Sequence, residues 1–111
     1  AIGDVGNVVL RDRKVLSEDG IFIVAITVNR REKKIVAKAR VHTRGFVYLK
    51  KSRDILRESS ELNNQTVEDY LQGDDFDWAD LKGKVRDNLT KYLFDQTKRR
   101  PAVLPVVMEA K

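Results

Sequence analysis

The chain has 111 residues, 41% of them hydrophobic and 35% charged, which fits one domain with one core. It contains no cysteine, which excludes disulfides and thiolate metal sites, and no run near the roughly 20 apolar residues of a membrane-spanning helix. The net charge of +5 favours polyanionic partners without identifying one. No signal-peptide pattern opens the chain, and its single methionine is Met108, so the sequence does not begin with an initiator. We therefore expect a cytoplasmic piece of a larger protein.

The first 20 residues predict a linker and entry segment. Gly3 and Gly6 are typical of a connector, and residues 8–10 could form a short strand. Residues 11–16 could form one helical turn, and residues 17–20 have the composition of a turn. The domain itself is therefore predicted to span residues 21–111.

Two strands follow and predict an antiparallel hairpin. Residues 21–28 are β-branched and apolar almost without interruption, and residues 35–41 alternate between apolar and polar side chains. Residues 29–34 between them are polar and predict the turn.

Two amphipathic helices come next. Ser52 is predicted to cap the first helix, which Gly73 ends. Asp77 is predicted to cap the second, with Asp80 three residues later in a position that resembles a capping box. Pro101 prevents the second helix from continuing.

Residues 102–109 predict a last strand, which must return to the sheet begun upstream. Pro105 cannot donate to a strand ladder, which indicates that the strand lies at an edge or has its amide side outward at that point. The order β-β-α-α-β predicts an α+β fold, in which a three-stranded sheet packs against two helices in two layers.

The first strand is apolar on both faces, yet two helices can cover only one of them. An uncovered apolar face is a patch that monomers usually avoid. One interpretation is that the entry segment covers it with Leu10, Val15 and Leu16. The other is an assembly surface for another chain or domain, and the residues predicted for that surface are Phe22, Val24, Ile26 and Val28.

No group of residues predicts catalysis or metal binding. His42 is the only histidine, so a typical zinc site is excluded. Four acidic residues, Asp74, Asp75, Asp77 and Asp80, lack the spacing of a calcium loop, and capping explains Asp77 better.

Two basic groups are candidates for RNA contact. Lys50, Lys51 and Arg53 surround a helix start, where the helix dipole disfavours cations, so a polyanion contact is one explanation. Lys98, Arg99 and Arg100 follow the second helix, where the dipole alone already accounts for them. The residues themselves therefore leave three readings open: an assembly domain, a direct RNA-binding module and a small hydrolase for which no site is visible.

Three segments together resemble one family. Residues 3–13 with 16–20, the run Thr43-Arg44-Gly45-Phe46-Val47-Tyr48, and the ending 97–109 are similar to the C-terminal region of bacterial ribonuclease J. Val41-His42 before the Thr-Arg-Gly and the ending Ala110-Lys111 are more similar to the second, Firmicute-type paralogue.

The resemblance implies a parent enzyme with a metallo-β-lactamase core, an inserted β-CASP domain and two zinc ions. Such parents cut RNA internally and trim it from the 5′ end, in mRNA decay and rRNA maturation. The metal-binding motifs of that core are absent from this sequence, so the resemblance implies a domain without cofactor or catalytic residues. It also implies partners: the parent catalytic core, an identical or paralogous ribonuclease J subunit, and RNA through the parent.

Overall fold

A computed structural model describes residues 19–45 and 52–110 of the chain. The predictions for the entry segment, with its short strand at residues 8–10, fall on residues 1–18 and so lie outside the described residues. Lys50 and Lys51 lie outside them as well.

The described chain forms three strands and two helices in the predicted order. These are β1 (Ile21–Asn29), β2 (Lys34–Arg44), α1 (Ser52–Leu71), α2 (Trp78–Thr97) and β3 (Ala102–Glu109). The predicted α+β fold is confirmed, although β2 extends three residues beyond the predicted end.

β1 is the central strand of the sheet, whose order is β2-β1-β3. β2 pairs with β1 in antiparallel fashion through the four-residue turn, and β3 pairs with it in parallel. A parallel partner needs a long crossover connection, and the two helices supply it. The register between β1 and β2 shifts twice, between Ala25 and Thr27 and again between Thr27 and Val28, so β2 bulges near the hairpin.

Both helices pack on one face of the sheet, α1 mainly against β2 and α2 mainly against β3. The β1 side chains on that face form the centre of the core: Phe22, Val24, Ile26 and Val28, each no more than 3% exposed. The prediction that these four residues form an assembly surface is therefore wrong, because the domain's own helices bury them. The β1 residues of the opposite face, from Ile21 to Asn29, are half-buried.

Each helix buries one stripe of residues spaced four apart, as an amphipathic helix does. On α2 the stripe is entirely apolar: Leu81, Val85, Leu89 and Leu93. On α1 the stripe of Ile55, Val67 and Leu71 is interrupted by two buried polar residues, Ser59 and Asn63. The neighbouring Asn64 accepts a 2.9 Å hydrogen bond from the Ala39 amide of β2, which ties the helix to the strand.

The predicted cap of α2 is confirmed. The Asp77 carboxylate accepts hydrogen bonds from the amides of Ala79 and Asp80, at 2.8 and 3.2 Å. The Asp77 amide donates to the Tyr70 hydroxyl at 3.0 Å, so Tyr70 takes the place that a capping box would give to the residue at position 80. The connection between the helices is thereby fixed at its entrance to α2.

β3 is an edge strand of the described sheet. The amides of Ala102 and Ala110 donate to the carbonyls of Gly20 and Val28, so even-numbered amides of this strand face β1. Pro105 has the opposite parity, so its nitrogen faces outward, as predicted. A proline there interrupts the row of free donors that another strand would need for pairing.

Candidate functional site

The outer face of the sheet, defined here as the face away from the helices, is apolar on two of its three strands. Leu104, Val106 and Met108 of β3 are 39%, 41% and 49% exposed. They lie beside Ile23, Ala25 and Thr27 of β1 in the parallel register, so these residues share the face. Most of the exposed large hydrophobic side chains of the described residues therefore lie on one strand and one face.

The third strand makes the rest of the outer face basic. Arg44 and His42 pair with Ile21 and Ile23, and Arg40 pairs with Ala25, so all three β2 side chains share the outer face. All three are exposed. The outer face thus has an apolar half on β3 and β1 and a basic margin on β2.

Neither edge of the sheet favours pairing with another strand. Pro105 interrupts the β3 edge, and two bulges distort the β2 edge near the hairpin. Association through this sheet is consequently expected to use side chains of the outer face and not backbone hydrogen bonds at an edge.

Some of the residues predicted to contact RNA are described by the structure, and these lie at one end of the pair of helices. Tyr92 of α2 contacts Glu58 of α1, and Asn88 contacts Thr66, so the two helices run antiparallel. This packing places Arg53, in the first turn of α1, at the same end of the pair as residues 98–100. All four side chains are exposed.

Two of these cations contact the ring of Phe94, a residue that was not predicted from the sequence to belong to a site. The Lys98 ammonium lies 5.2 Å from the centroid of the Phe94 ring, and the Arg100 guanidinium carbon lies 4.4 Å from it. Lys98 adopts a left-handed backbone, with φ 60°, and ends α2, which turns the chain back towards Phe94. Arg99 has no such contact, and its amide donates to the Thr97 hydroxyl at 3.0 Å.

Phe94 and Arg100 belong to a groove of about 540 Å³, whose other lining residues lie on α2: Arg86, Asp87, Thr90 and Lys91. The spacing of Arg86, Thr90, Phe94 and Lys98, four residues apart, is the sequence signal that could have revealed a shared helix face.

A second groove, of about 660 Å³, lies between the helices near the acidic residues of the sequence analysis. Asp74, Asp75 and Asp80 line it with Asp69 and Lys84. Within residues 19–45 and 52–110, no group of three His, Cys, Asp or Glu side chains could hold a metal ion. The interpretation of Asp77 as a cap is confirmed.

Tyr92 is a titratable group of the described residues whose pKa is shifted by its surroundings. Burial raises the pKa of its hydroxyl above the ordinary value of 10.0, and the hydrogen bond to Glu58 raises that pKa further. The pair joins α1 to α2 and lies inside the helical layer, so we assign it a structural role. Neither helix of the described chain is long and apolar enough to cross a membrane.

Comparison with known proteins decides the family. The family model described as "Ribonuclease J C-terminal domain" matches residues 8–110. The chain belongs to that family. The resemblance noted in the sequence is therefore confirmed, and it covers nearly the whole chain.

Two curated relatives are similar to this chain over almost its full length. "Ribonuclease J 2" of Streptococcus pyogenes serotype M3 is 74% identical over 111 residues, which are 100% of this chain and 20% of the relative. "Ribonuclease J 2" of Staphylococcus aureus strain NCTC 8325 is 47% identical over 108 residues, which are 97% of this chain and 19% of the relative. Both names agree with the Firmicute-type second paralogue. The chain spans about a fifth of the length of these relatives.

Proposed function

We propose that this chain is a non-catalytic assembly domain of a ribonuclease J. Its parent would be a 5′-3′ exonuclease and endonuclease of mRNA decay and rRNA maturation, acting in the cytoplasm, with its zinc ions held by the catalytic core outside this chain. The domain would support oligomerisation and, through it, activity. The observation that carries the proposal is the apolar half of the outer face, centred on Leu104, Val106 and Met108.

The physical reason is the free energy of covering that surface. Burial of apolar surface contributes roughly 25 cal/mol per Å² removed from water. A cluster of three large apolar side chains on one exposed strand, continuous with Ile23 of β1, resembles the centre of an interface more than scattered surface residues do.

The occupant we propose is the same face of a second ribonuclease J subunit, identical or paralogous. Two such faces can meet about a twofold axis near β3, with apolar half against apolar half. That arrangement keeps the basic margins of Arg40, His42 and Arg44 at the outside of the contact, away from each other. It also needs no edge pairing, which Pro105 disfavours.

The apolar half of the outer face is small, and its area limits the expected affinity of self-association. Two strands of eight residues present roughly 26 by 10 Å, or about 260 Å² per subunit, against the roughly 800 Å² per partner of a stable interface. We therefore expect weak self-association of the isolated chain. Contacts from the rest of the parent would supply the remaining area.

The single methionine allows a direct test. Met108 is the only methionine of the chain, so its methyl resonance needs no assignment. We expect this resonance to shift as the concentration of the chain increases, and sedimentation velocity to show a matching rise in average mass. Val106→Glu should abolish both effects, because it places a charge beside Met108 on the same face. Ala79→Glu, an exposed change on the helical layer, is the matched control and should leave both unchanged.

The proposal is refuted if the Met108 resonance stays constant up to the solubility limit while the chain remains monomeric. It is also refuted if association persists unchanged in Val106→Glu, because the contact would then lie elsewhere on the domain.

A further inference from the structure

The groove beside Phe94 has no part in the proposed assembly contact. It lies on the helical layer and is formed by α2 and the residues that follow it, whereas the outer face lies on the other side of the sheet. Three cations line it, Arg86, Lys91 and Arg100, and the Lys98 ammonium lies 5.2 Å from the centroid of the Phe94 ring. A single carboxylate, Asp87, lines it, at 3.8 Å from the Arg86 guanidinium.

Arg86 is the only cation of this groove that forms an ion pair with a carboxylate of the described residues. Among the ion pairs formed by residues 19–45 and 52–110, none includes Lys91, Lys98 or Arg100. The helix dipole explains why cations are tolerated at the end of α2. It does not explain why the Lys98 and Arg100 side chains lie over a ring, or why Lys91, a turn and a half before the helix ends, lines the same groove.

The contact with Phe94 also restricts the position of the Arg100 side chain, whose guanidinium carbon lies over the ring at 4.4 Å from its centroid. A guanidinium over an aromatic face keeps its N–H groups at its edge, where they can donate in pairs to a phosphate. The Arg100 backbone is held too, because its amide donates to the Asp19 carboxylate at 2.9 Å. The Arg100 guanidinium and the flexible ammonium groups of Lys91 and Lys98 can together contact several phosphate groups. This arrangement fits a chain of phosphates better than one small anion.

We propose that this groove binds the phosphodiester backbone of single-stranded RNA. Arg100 and Lys91 contact successive phosphates, Lys98 adds charge at the end of the groove, and Phe94 positions Arg100. RNA is the polyanion that fits a family whose members are named ribonucleases. The inference assigns RNA contact to residues 91–100 of α2 and its end, and it does not depend on the assembly proposal.

The test is fluorescence anisotropy of a short, unstructured, labelled RNA with the 111-residue chain at several salt concentrations. The test variant is Lys91→Gln with Arg100→Gln, and the matched control is Arg31→Gln with Lys38→Gln, which removes two exposed cations at β2 and its turn. Each lost phosphate contact lowers the slope of log affinity against log salt by about 0.7 for single strands. We expect the test variant to lose about 1.4 of slope and roughly 25-fold in affinity near 0.1 M salt, and the control to keep its slope.

Phe94→Leu separates the positioning role of the ring from the charges. It removes the stacking surface but no cation, so we expect it to lose most of the affinity that Arg100→Gln alone loses. Circular dichroism of each variant checks that the fold is retained.

Four results would overturn the inference. The wild-type chain could fail to bind RNA, the control pair could lose as much slope as the test pair, or Phe94→Leu could bind as tightly as the wild type. A test variant that binds RNA normally would likewise place the contact elsewhere. None of these results bears on the Met108 resonance, so failure here is distinguishable from failure of the assembly proposal.

Discussion

Gly83 lies in the second turn of α2, inside the helix, where glycine is unfavourable, and the structure shows no packing reason for it. A Cβ built at this position would meet as its nearest heavy atom the Arg86 guanidinium nitrogen, at 3.8 Å, an ordinary contact with the end of a flexible side chain. Glycine in a helix interior costs about 0.8–1.0 kcal/mol relative to alanine. We therefore expect Gly83→Ala to increase the free energy of unfolding by about 1 kcal/mol.

The corresponding thermal shift follows from the size of the chain. With about 2.1 cal/mol/K per residue of unfolding entropy and 111 residues, 1 kcal/mol raises Tm by about 4 °C. Urea denaturation followed by far-UV circular dichroism measures the free energy. Fluorescence of Trp78, the only tryptophan, gives an independent probe, because its ring lies 4.7 Å from that of Phe76 in an edge-to-face contact.

Gly20→Ala is the matched control, with the opposite expected sign. Gly20 has φ 84°, a left-handed backbone that alanine adopts at a cost of about 1–2 kcal/mol. Its carbonyl also accepts the Ala102 amide at 2.9 Å, at the start of β3, so the strain cannot relax without disturbing the strand. The reasoning is refuted if Gly83→Ala fails to stabilise the chain, or if both variants shift its stability in the same direction.

Two further predictions concern the helical layer. Asn64→Ala removes the acceptor of the Ala39 amide and should lower the free energy of unfolding by about 1 kcal/mol in urea titrations; an unchanged midpoint would contradict the tie between α1 and β2. The raised pKa of Tyr92 means that its contribution to stability is fully present below the ordinary value of 10.0 and is lost progressively as pH rises from that value through the higher pKa of the folded state. Thermal melts of Tyr92→Phe should therefore decline less steeply above that pH than those of the wild type, and parallel declines would show that the contact with Glu58 does not control alkaline stability.

The hydrophobic patterns of the individual segments predict the order of the helices and strands. They do not predict which face of β1 the helices cover. β1 is apolar on both faces, so its own sequence does not tell which face the helices cover. The deciding signal lies on β2, whose cations Arg40 and Arg44 share a face with Ala25 and Ile21. These shared faces follow from the position of the turn, because the two register shifts together move the pairing by two residues and so leave the faces unchanged.

The groove beside Phe94 was not predicted from the sequence, for a different reason. Helix spacing places Arg86, Thr90 and Phe94 on one face, but Arg100 follows the helix, and nothing in its own sequence position assigns it to that face. The left-handed backbone of Lys98 returns the chain over Phe94, and such a conformation is uncommon for residues other than glycine. The helix dipole therefore explains why Lys98, Arg99 and Arg100 are found at the end of α2, but it does not predict which residues their side chains contact.

The two proposed surfaces can be occupied at the same time, because the helical layer and the sheet separate them. An RNA strand along Lys91 and Arg100 would leave Val106 and Met108 uncovered, and a second subunit on the outer face would leave the groove open. Electrostatic coupling between the groove and the outer face is expected to be weak, because interactions between exposed charges are largely screened beyond about 10 Å at 0.1 M salt. The variants that test one surface are therefore internal controls for the other: Val106→Glu should preserve the salt slope of RNA binding, and Arg100→Gln should preserve the concentration dependence of the Met108 resonance. If each variant instead impaired both measurements, a single shared surface or a general loss of structure would explain the data better than two separate sites.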